Sequence, residues 1–456
     1  MRRDLLEVLR CPATGAALAL DTLERDGDDV RYGVLRGEVE EYPVLAGVPV
    51  LLPGHGEEVR MLRDGRTAEA SAATLLRQLR PSRLGRLASA LGALPRGARA
   101  GGMLGGRDRR RLQAALAPLL DAGAPDPLAL LRLGFEGWAD HNPEAVHYFG
   151  HRFGTRGHLV ALAATDAAGG GDGMVLDLGC GVGHLTWSLG SRFGDDRTVG
   201  VDLSLFELWA AQAVAGAGRF VCADATALPL ATGAFGLVMA CDVLSFVRDK
   251  WAVAHEAARV LAPGGTAAFV AVKSSLQRHV YAGMPISPDG WRGLAGPLPH
   301  RLYADDRILA RYLAGRPIDG DDPGDVRAAR TVTLLAGAGA HGPGGTGWSS
   351  TGDWPHARGP LGVNPLLRLS EERDATLVYR RRFPSADFAD DNEPLREYLP
   401  EEVRVPRAAV AGDELERRLV EDLLPTAAVI AMPAYYRRAN LPVPVDPAVA
   451  PAAPTA

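Results

Sequence analysis

Short apolar segments alternate with helix-like segments between residues 174 and 272, and this alternation restricts the fold more than any other feature of the chain. Five segments have the composition of buried strands: MVLDLG (174–179), RTVGVDLS (197–204), RFVCADA (219–225), FGLVMACDVL (235–244) and AAFVAV (267–272). The pattern KWAVAHEAARVL (250–261) predicts a helix that the following Pro263-Gly264-Gly265 would end. Strands alternating with helices predict an α/β fold with a parallel, doubly wound sheet.

A glycine-rich turn, DLGCGVGHLTWSLG (177–190), follows the first predicted strand. Gly179 and Gly181 permit a close approach of the backbone to a ligand, and Gly183 lets the following helix lie near the strand. Ligands of open α/β sheets bind at this carboxyl edge, where helix N-terminal amides favour an anionic group. A dinucleotide usually requires G-x-G-x-x-G, whereas the spacing here is G-x-G-x-G with Asp177 two residues upstream.

The chain resembles the class I S-adenosylmethionine (SAM)-dependent methyltransferases of the small-molecule type in three features. They are this glycine pattern, the acids near the ends of the next two predicted strands, and the turn RVLAPGG before the fifth strand. The resemblance implies a Rossmann-like seven-stranded methyltransferase sheet and SAM as the cofactor. Asp177 would bind the ammonium group of SAM, Asp202 the ribose hydroxyls and Asp224 the adenine amine. The predicted cofactor-binding residues are Asp177, Gly179, Cys180, Gly181, Gly183, His184, Asp202, Leu203, Asp224, Ala225 and Cys241.

A second resemblance concerns residues 1–55. The segments LLEVLRCPATGAALAL and YPVLAGVPVLLP resemble the two ends of a Trm112-like domain. This implies a small β-rich unit of the kind that partners and stabilises methyltransferases. Zinc-binding members of that family use four cysteines, whereas this segment contains only Cys11, so we expect no metal there. We predict an accessory domain that packs against the enzyme or shapes substrate access.

The rest of the chain is divided by composition. The SAM-binding core is expected at 141–273, an insertion or substrate lid at 274–374, C-terminal strands completing the sheet at 375–440 and a disordered tail at 441–456. Residues 56–140 predict connecting helices, and ten arginines with one acid, Asp108, lie between Arg77 and Arg111. This stretch allows contact with RNA. Because no aromatic residue is interleaved there to stack on bases, a solvated basic helix face is favoured.

Aromatic residues in the segment 274–374 indicate a lid over a bulky, partly apolar acceptor, with an independent structural insertion as the alternative. These residues are Tyr281, Trp291, Tyr303, Tyr312, Trp348 and Trp354. Strand-like patterns at 375–383 and 427–432 are expected to close the sheet.

Three residues are candidates for catalysis: Asp242, His147 and Tyr148. Asp242 follows the fourth predicted strand and would face the methyl donor, although it could instead cap the next helical turn. His147 and His151 are four residues apart and would share a helix face, and Tyr148 is the expected lid contact to the cofactor.

Three further residues at the cofactor edge have alternative roles. His184 could cap the helix after the glycine turn or touch the carboxylate of the cofactor. Cys180 and Cys241 are expected to be small packing residues rather than nucleophiles, because no base is fixed beside either.

The composition limits the function classes. A net charge of −5 argues against a wholesale binder of nucleic acid or membrane surfaces, and no run of 18 apolar residues predicts a membrane span. Four cysteines without zinc or disulfide spacing favour the cytoplasm. We expect a methyltransferase for a small-molecule or peptide-like acceptor in specialised biosynthesis. An RNA or protein methyltransferase and a non-catalytic SAM-binding scaffold are the alternatives.

Overall fold

The computed structural model describes residues 1–78, 106–121, 126–134, 143–168, 173–216, 219–280, 283–318, 324–337, 354–373 and 375–440. The chain begins with a 3-10 turn (Arg3–Glu7) and a four-stranded antiparallel sheet of β1 (Ala19–Asp26), β2 (Asp29–Arg36), β3 (Glu41–Leu45) and β4 (Val48–Pro49). Val30, Leu35 and Tyr42 fill its interior. A β-rich N-terminal unit is therefore present, as the sequence predicts.

Helices follow this unit, both within residues 56–140 and beyond them. They are α1 (Gly56–Arg63), α2 (Thr67–Gln78), α3 (Gly106–Asp121), α4 (Pro127–Arg132), α5 (Pro143–His151) and α6 (Arg156–Ala168). Most of the arginine-rich stretch, residues 79–105, lies outside the described residues. Within the described ranges, no helix combines the length and the apolar composition needed to cross a membrane.

The central sheet has seven strands in the order β10-β11-β9-β8-β5-β6-β7. They are β5 (Met174–Leu178), β6 (Thr198–Asp202), β7 (Arg219–Cys222), β8 (Phe235–Cys241), β9 (Leu261–Lys273), β10 (His300–Ala304) and β11 (Thr331–Gly337). The strands β5 to β9 pair in parallel, whereas β11 pairs antiparallel with both β9 and β10. The predicted Rossmann-like α/β fold is confirmed.

Helices cover both faces of this sheet and bury it. They are α7 (His184–Phe193), α8 (Leu205–Ala215), α9 (Lys250–Val260), α10 (Pro288–Gly293) and α11 (Asp305–Leu313). Side chains alternate between the two faces, so Val175 joins one apolar cluster while Leu176 and Leu178 join the other. Asp249 caps the start of α9, because its carboxylate accepts a hydrogen bond from the Ala252 amide at 2.9 Å.

The expectation that residues 274–374 are an insertion or a substrate lid is wrong, because this segment supplies β10 and β11 of the central sheet. Three of its aromatic residues are core residues rather than lid residues: Trp291, Tyr303 and Tyr312 are at most 4% exposed. Trp354 is partly buried against the core, and Tyr281 and Trp348 lie outside the described residues. The strand β11 itself covers the edge of β9 by antiparallel pairing.

The expectation that residues 375–440 complete the central sheet is also wrong. These residues and the segment before them form two smaller sheets, ordered β13-β14-β15 and β16-β17-β12-β18. The strands are β12 (Leu361–Val363), β13 (Leu367–Arg373), β14 (Thr376–Arg381), β15 (Glu402–Pro406), β16 (Val410–Ala411), β17 (Glu414–Leu415) and β18 (Val429–Ala431). We call residues 354–440 the C-terminal region; its helices are α12 (Ala386–Asp391) and α13 (Ala434–Asn440). The predicted tail, 441–456, lies outside the described residues.

Both edges of the parallel part of the sheet are occupied, which explains why the C-terminal strands lie elsewhere. The strand β11 covers β9. At the other edge Val50 forms a parallel bridge with Cys222 of β7, and the Leu51 amide donates a hydrogen bond to the Cys222 carbonyl at 2.8 Å. The N-terminal unit thus extends the central sheet by backbone pairing.

Candidate functional site

The glycine turn lies at the carboxyl edge of the sheet, directly after β5. Gly179, Gly181 and Gly183 have φ values of +72°, +50° and +75°, which L side chains rarely adopt. A Cβ atom on Gly179 would lie 2.4 Å from the Val243 side chain. The turn therefore requires glycine, because of its positive φ values and because Val243 fills the space beside Gly179.

A cavity of about 550 Å³ adjoins this turn. It is lined by nine of the residues predicted for the cofactor and for catalysis: Asp177, Gly179, Cys180, Gly181, His184, Asp202, Cys241, Asp242 and Tyr148. Five predicted residues do not line it: Gly183, Leu203, Asp224, Ala225 and His147. The volume is in the range of small-molecule sites.

Two acids, the buried Asp177 and the partly buried Asp202, form hydrogen bonds in and next to the glycine turn. The hydroxyl of Thr186 donates a hydrogen bond to Asp177 Oδ2 at 2.6 Å. The amide of Gly181 donates to Asp202 Oδ2 at 2.9 Å, and the amide of Ser204 donates to Asp202 Oδ1 at 2.9 Å. Burial raises the pKa of Asp177 to about 7, with the nearby charge of Asp202 acting in the same direction. Burial also raises the pKa of Asp202.

A third acid, Glu207, was missed by the sequence analysis. It lies in the first turn of α8 and lines the cavity. A Cβ atom on Gly181 would lie 3.2 Å from Glu207 Oε2, so this carboxylate lies beside the open turn. Burial raises its pKa well above the ordinary value. No sequence signal marks it, because its position depends on how α8 is rotated against the sheet.

The predicted adenine contacts are not at the cavity. The strand β7 ends at Cys222, and Asp224 lies two residues later on the surface. Its Oδ1 atom accepts hydrogen bonds from the Thr226 amide at 2.8 Å and the Thr226 hydroxyl at 2.7 Å, which close a local turn. Leu203 is 56% exposed, and Ala225 packs against the N-terminal side of the core.

Asp242 is the centre of a charged cluster opposite the glycine turn. It follows β8 in the left-handed region, with φ +60°. Tyr148 Oη donates a hydrogen bond to Asp242 Oδ2 at 3.0 Å, Lys273 Nζ lies 3.6 Å from Oδ1, and Arg152 Nη1 lies 3.9 Å from Oδ2. The alternative role as a helix cap is wrong: Val243 occupies the cap position of the next turn, and no side-chain cap bond forms there.

Two cations of this cluster, Arg152 and Lys273, were also missed. Arg152 is 8% exposed; it donates to Cys241 Sγ at 3.1 Å and its Cζ atom lies 4.8 Å from the centre of the Tyr148 ring. Lys273 is 4% exposed, and its Nζ atom lies 4.4 Å from the centre of the Phe246 ring. Lys273 is the last residue of β9, so its position at a strand end was a usable signal.

His147 is not brought to the cavity, although its neighbour Tyr148 is. The carbonyl of His147 lies 2.7 Å from His151 Nδ1, and Arg368 Nη2 donates to His151 Nε2 at 2.9 Å. Burial lowers the pKa of His151 to about 4. The pair therefore ties α5 to the C-terminal region instead of forming a base. Burial raises the pKa of Tyr148, so its hydroxyl remains a donor to Asp242.

The cysteines and His184 have packing roles at the cavity edge. Burial raises the pKa of Cys241 to about 12 and that of Cys180 well above the ordinary value, so both are neutral thiols. His184 Nε2 lies 3.0 Å from the Phe149 carbonyl oxygen and 2.7 Å from Tyr436 Oη. Burial lowers the pKa of His184 to about 3. A neutral imidazole here joins α7, α5 and α13.

The C-terminal region completes the cavity. Phe388 and Asp391 of α12, with Asn392 after it, form part of the wall beside Asp242 and Lys273. The site therefore has one end made of glycine backbone and three acids and another end made of Asp242, its cations and the C-terminal wall.

Comparison with known proteins identifies the central segment. Residues 176–269 match the family described as "Methyltransferase domain". The chain is 36% identical over 105 residues to an uncharacterized methyltransferase of Mycobacterium sp. (strain JLS), covering 23% of this chain and 40% of the relative. It is 31% identical over 163 residues to malonyl-[acyl-carrier protein] O-methyltransferase of Pseudescherichia vulneris, covering 31% and 63%. The chain thus spans less than two thirds of the length of these relatives.

Solved structures also align with the central segment. A TehB-like SAM-dependent methyltransferase of Corynebacterium glutamicum aligns at 19% identity and a TM-score of 0.30, covering 39% of this chain and 86% of that one. A complex of the Haloferax volcanii Trm112 methyltransferase activator with a methyltransferase aligns at 20% identity and a TM-score of 0.30, covering 45% and 97%. These scores are too low to bear on function.

The end of the cavity formed by the glycine turn and the three acids, which we call the donor end, fits SAM. Gly179 and Gly181 line the cavity, where their backbone could face the amino-acid part of the cofactor, and the acids beside them would suit its ammonium and ribose hydroxyls. Residues 176–269 therefore match a methyltransferase domain within a Rossmann-like sheet, and SAM is the cofactor.

Proposed function

We propose that this protein transfers a methyl group from SAM to an oxygen atom of a small-molecule acceptor. The family match and the O-methyltransferase relatives support this class of reaction. The observation that carries the proposal is the hydrogen bonding of the Asp242 carboxylate. Its Oδ1 atom is buried at the cavity and has no hydrogen bond among the described residues, although Lys273 lies 3.6 Å away.

At the donor end, the residues of this chain bind and orient the cofactor. Amides of the glycine turn and the start of α7 favour its carboxylate. Asp177 would pair with its ammonium group, and Asp202 with Glu207 would accept hydrogen bonds from the ribose hydroxyls. When bound, SAM supplies a methyl group on a positively charged sulfur with a neutral leaving group.

At the acceptor end, Asp242 Oδ1 would accept the proton of the attacking hydroxyl. The O–H bond of the acceptor breaks as the new bond to the methyl carbon forms, and the carboxyl group of Asp242 holds the proton. Tyr148 and Lys273 fix the orientation of the carboxylate. Because the transfer is an in-line displacement, this fixed geometry supplies much of the rate enhancement.

The test separates the two ends by substitution. Asp242→Asn should lower kcat about 10²- to 10⁴-fold while the dissociation constant for SAM changes less than about twofold. Asp202→Ala should weaken SAM binding about ten- to a hundredfold, because the ribose hydroxyls lose their partner. Calorimetry gives the binding constants, and mass spectrometry of a metabolite extract incubated with SAM gives the methylated product. An Asp242→Asn variant with full turnover would exclude Asp242 as the base.

The exposed acid Asp289 offers a matched control. Its side chain is 65% exposed and pairs with Arg292 at 2.6 Å. Asp289→Asn should leave both SAM binding and turnover unchanged, because it lies on the surface. A similar loss in this variant would show that the effect of Asp242→Asn is not specific to the site.

We further propose that residues 1–55 act as a built-in, Trm112-like accessory unit. The parallel bridge between Val50 and Cys222 supports this role, because it places the unit on the edge of the catalytic sheet. Removing these residues should lower stability more than it lowers intrinsic SAM affinity. A truncated protein with unchanged unfolding and turnover would contradict the accessory role.

A further inference from the structure

The cavity contains a second carboxylate on its acceptor side that the reaction outlined above does not use. Asp391, the last residue of α12, lines the cavity and lies outside the segment that matches the methyltransferase family. Within the part of the chain that the structure describes, its carboxylate has no hydrogen bond and no ion pair within 4.0 Å. It is therefore open to a ligand.

The two cations that line the cavity form their ion pairs with Asp242 rather than with this carboxylate. Arg152 and Lys273 both lie within 4.0 Å of Asp242, which also receives the hydroxyl of Tyr148. Burial raises the pKa of Asp391, and repulsion from Asp242 acts in the same direction, whereas attraction to Lys273, Arg330 and Arg156 acts against it. A half-buried carboxylate without a direct ion pair is unfavourable, so a cationic ligand group would stabilise it.

Apolar side chains lie beside the two carboxylates. Phe388 is 3% exposed and belongs to the same helix as Asp391, while Phe246 is 51% exposed and follows Asp242. Val243 and Val247 line the same wall. An acceptor with a flat apolar body would be held by these side chains, and its two polar ends would meet the two acids.

We propose that Asp391 binds a protonated amine of the acceptor, so that the acceptor is an amine-bearing hydroxy compound with an apolar, ring-sized body. This inference rests on the proposed function for the hydroxyl end only. Asp242 faces the hydroxyl, and Asp391 sets specificity through the amine. The C-terminal region thus supplies the residue that selects the substrate class.

Three probes that share a phenol and differ in the end of a short chain test this proposal. They are tyramine, with an ammonium end, 4-propylphenol, with a methyl end, and 3-(4-hydroxyphenyl)propionate, with a carboxylate end. Calorimetry would use the full chain saturated with the demethylated cofactor product, so that no turnover occurs. Tyramine should bind about tenfold more tightly than either other probe, because it alone gains a charge-assisted hydrogen bond.

Variants of α12 assign the preference to one carboxylate. Asp391→Asn should remove the preference for tyramine and leave the affinity for 4-propylphenol unchanged. Asp387→Asn, an exposed position of the same helix, should keep the preference. The melting temperature of Asp391→Asn should stay equal or rise, because an uncompensated charge is removed. A lower melting temperature with an unchanged preference would identify Asp391 as a structural residue and overturn the proposal.

The remaining outcomes separate this proposal from the proposed function. Tyramine binding that depends on Asp391 without methylation in the presence of SAM would support the inference and contradict the O-methylation. Methylation of the probes without a preference for the amine would support the O-methylation and contradict the inference about Asp391. Tightest binding of the carboxylate probe, or no tyramine binding at millimolar concentration, would overturn the inference.

Discussion

The N-terminal unit and the C-terminal region both dock on the methyltransferase domain, but they dock in different ways. The N-terminal unit extends the sheet at β7, and none of the described residues that line the cavity comes from it. The C-terminal region forms separate sheets and contributes Phe388, Asp391 and Asn392 to the cavity wall. Two additions to one core can therefore have distinct roles, one in stability and one in the substrate site.

The N-terminal interface combines backbone pairing with a buried aromatic anchor. Trp209 of α8 is fully buried, and its Nε1 atom donates a hydrogen bond to the Leu45 carbonyl at 3.0 Å. The side chain of Gln212 donates to the Ala46 carbonyl at 3.0 Å. These contacts join α8 to the turn between β3 and β4, which lies away from the cavity.

The C-terminal interface instead uses buried neutral histidines. His356 Nδ1 lies 2.7 Å from Tyr312 Oη, and its Nε2 atom lies 2.9 Å from the Leu424 carbonyl oxygen. His184 contacts Tyr436 in a similar way at the cavity edge. Because a neutral imidazole can donate from one ring nitrogen and accept at the other, His356 can bridge the Tyr312 hydroxyl and the Leu424 carbonyl.

The largest expected effect tests the N-terminal interface. Trp209→Ala should lower the free energy of unfolding by about 3–5 kcal/mol, because it leaves a cavity between α8 and the N-terminal unit. The dissociation constant for SAM should change less than about twofold at a temperature where the variant is folded. Denaturant unfolding and calorimetry provide the two measurements.

Trp251 provides the matched control, since it is 55% exposed on α9. Trp251→Ala should change stability by no more than about 0.5 kcal/mol. If Trp209→Ala weakened SAM binding strongly without changing unfolding, the N-terminal unit would have to act on the cavity, and the comparison of the two regions would fail.

The second effect tests the C-terminal interface through pH. Burial lowers the pKa of His356 to about 4 from the ordinary value of about 6.5, so below pH 6.5 the unfolded chain binds a proton that the folded chain does not. The stability that His356 contributes is therefore present above pH 6.5 and is lost as the pH falls towards 4. The destabilisation caused by His356→Gln should shrink by on the order of 3 kcal/mol between pH 7 and pH 4.

Unfolding by denaturant at several pH values measures this difference between the two proteins. Comparing the variant with the parent protein cancels the titration of the buried acids near the glycine turn, which acts in the opposite direction. His255→Gln is the control, because His255 is 81% exposed and should change stability by no more than about 0.5 kcal/mol at each pH. A pH-independent effect of His356→Gln would show that this histidine is not held neutral.

The parallel strands of the central sheet and the strands that follow them in the chain differed in how well the sequence predicted them. The strands β5 to β9 follow from local patterns, because each is a short apolar segment between a helix and a turn. The sequence did not predict the strands beyond β9. The strands β10 and β11 form antiparallel pairs between segments distant in the chain, and these segments lack a regular pattern. The same reason led to the wrong placement of the C-terminal strands.

The site shows the same division. Asp177 and Asp202 were predictable because strand ends meet at one edge of the sheet. Arg152, Glu207 and Asp391 were not, because each lies in or beside a helix whose rotation is set by tertiary packing. Lys273 is the exception, because it ends β9 and could have been identified by the argument that identified Asp202.

The smallest expected effect tests how the C-terminal region acts on the donor end. Tyr436→Phe removes a hydroxyl that lies 2.7 Å from His184 Nε2 and donates to the Phe149 carbonyl at 3.3 Å. The free energy of unfolding should fall by about 1–3 kcal/mol, because buried polar groups lose a partner. SAM binding should weaken a few-fold, because α5 carries Phe149 and Tyr148 over the cavity.

The neighbouring residue Tyr435 gives the control for this last variant. It is 37% exposed, and its hydroxyl donates to Asp126 at 3.0 Å on the surface. Tyr435→Phe should therefore change both stability and SAM affinity little. Because the two variants differ by one position in α13, unequal SAM affinities would place the effect in the hydrogen bonds among Tyr436, His184 and Phe149. Equal affinities would show that the C-terminal region supports only the acceptor side of the cavity, so that its role ends at α12.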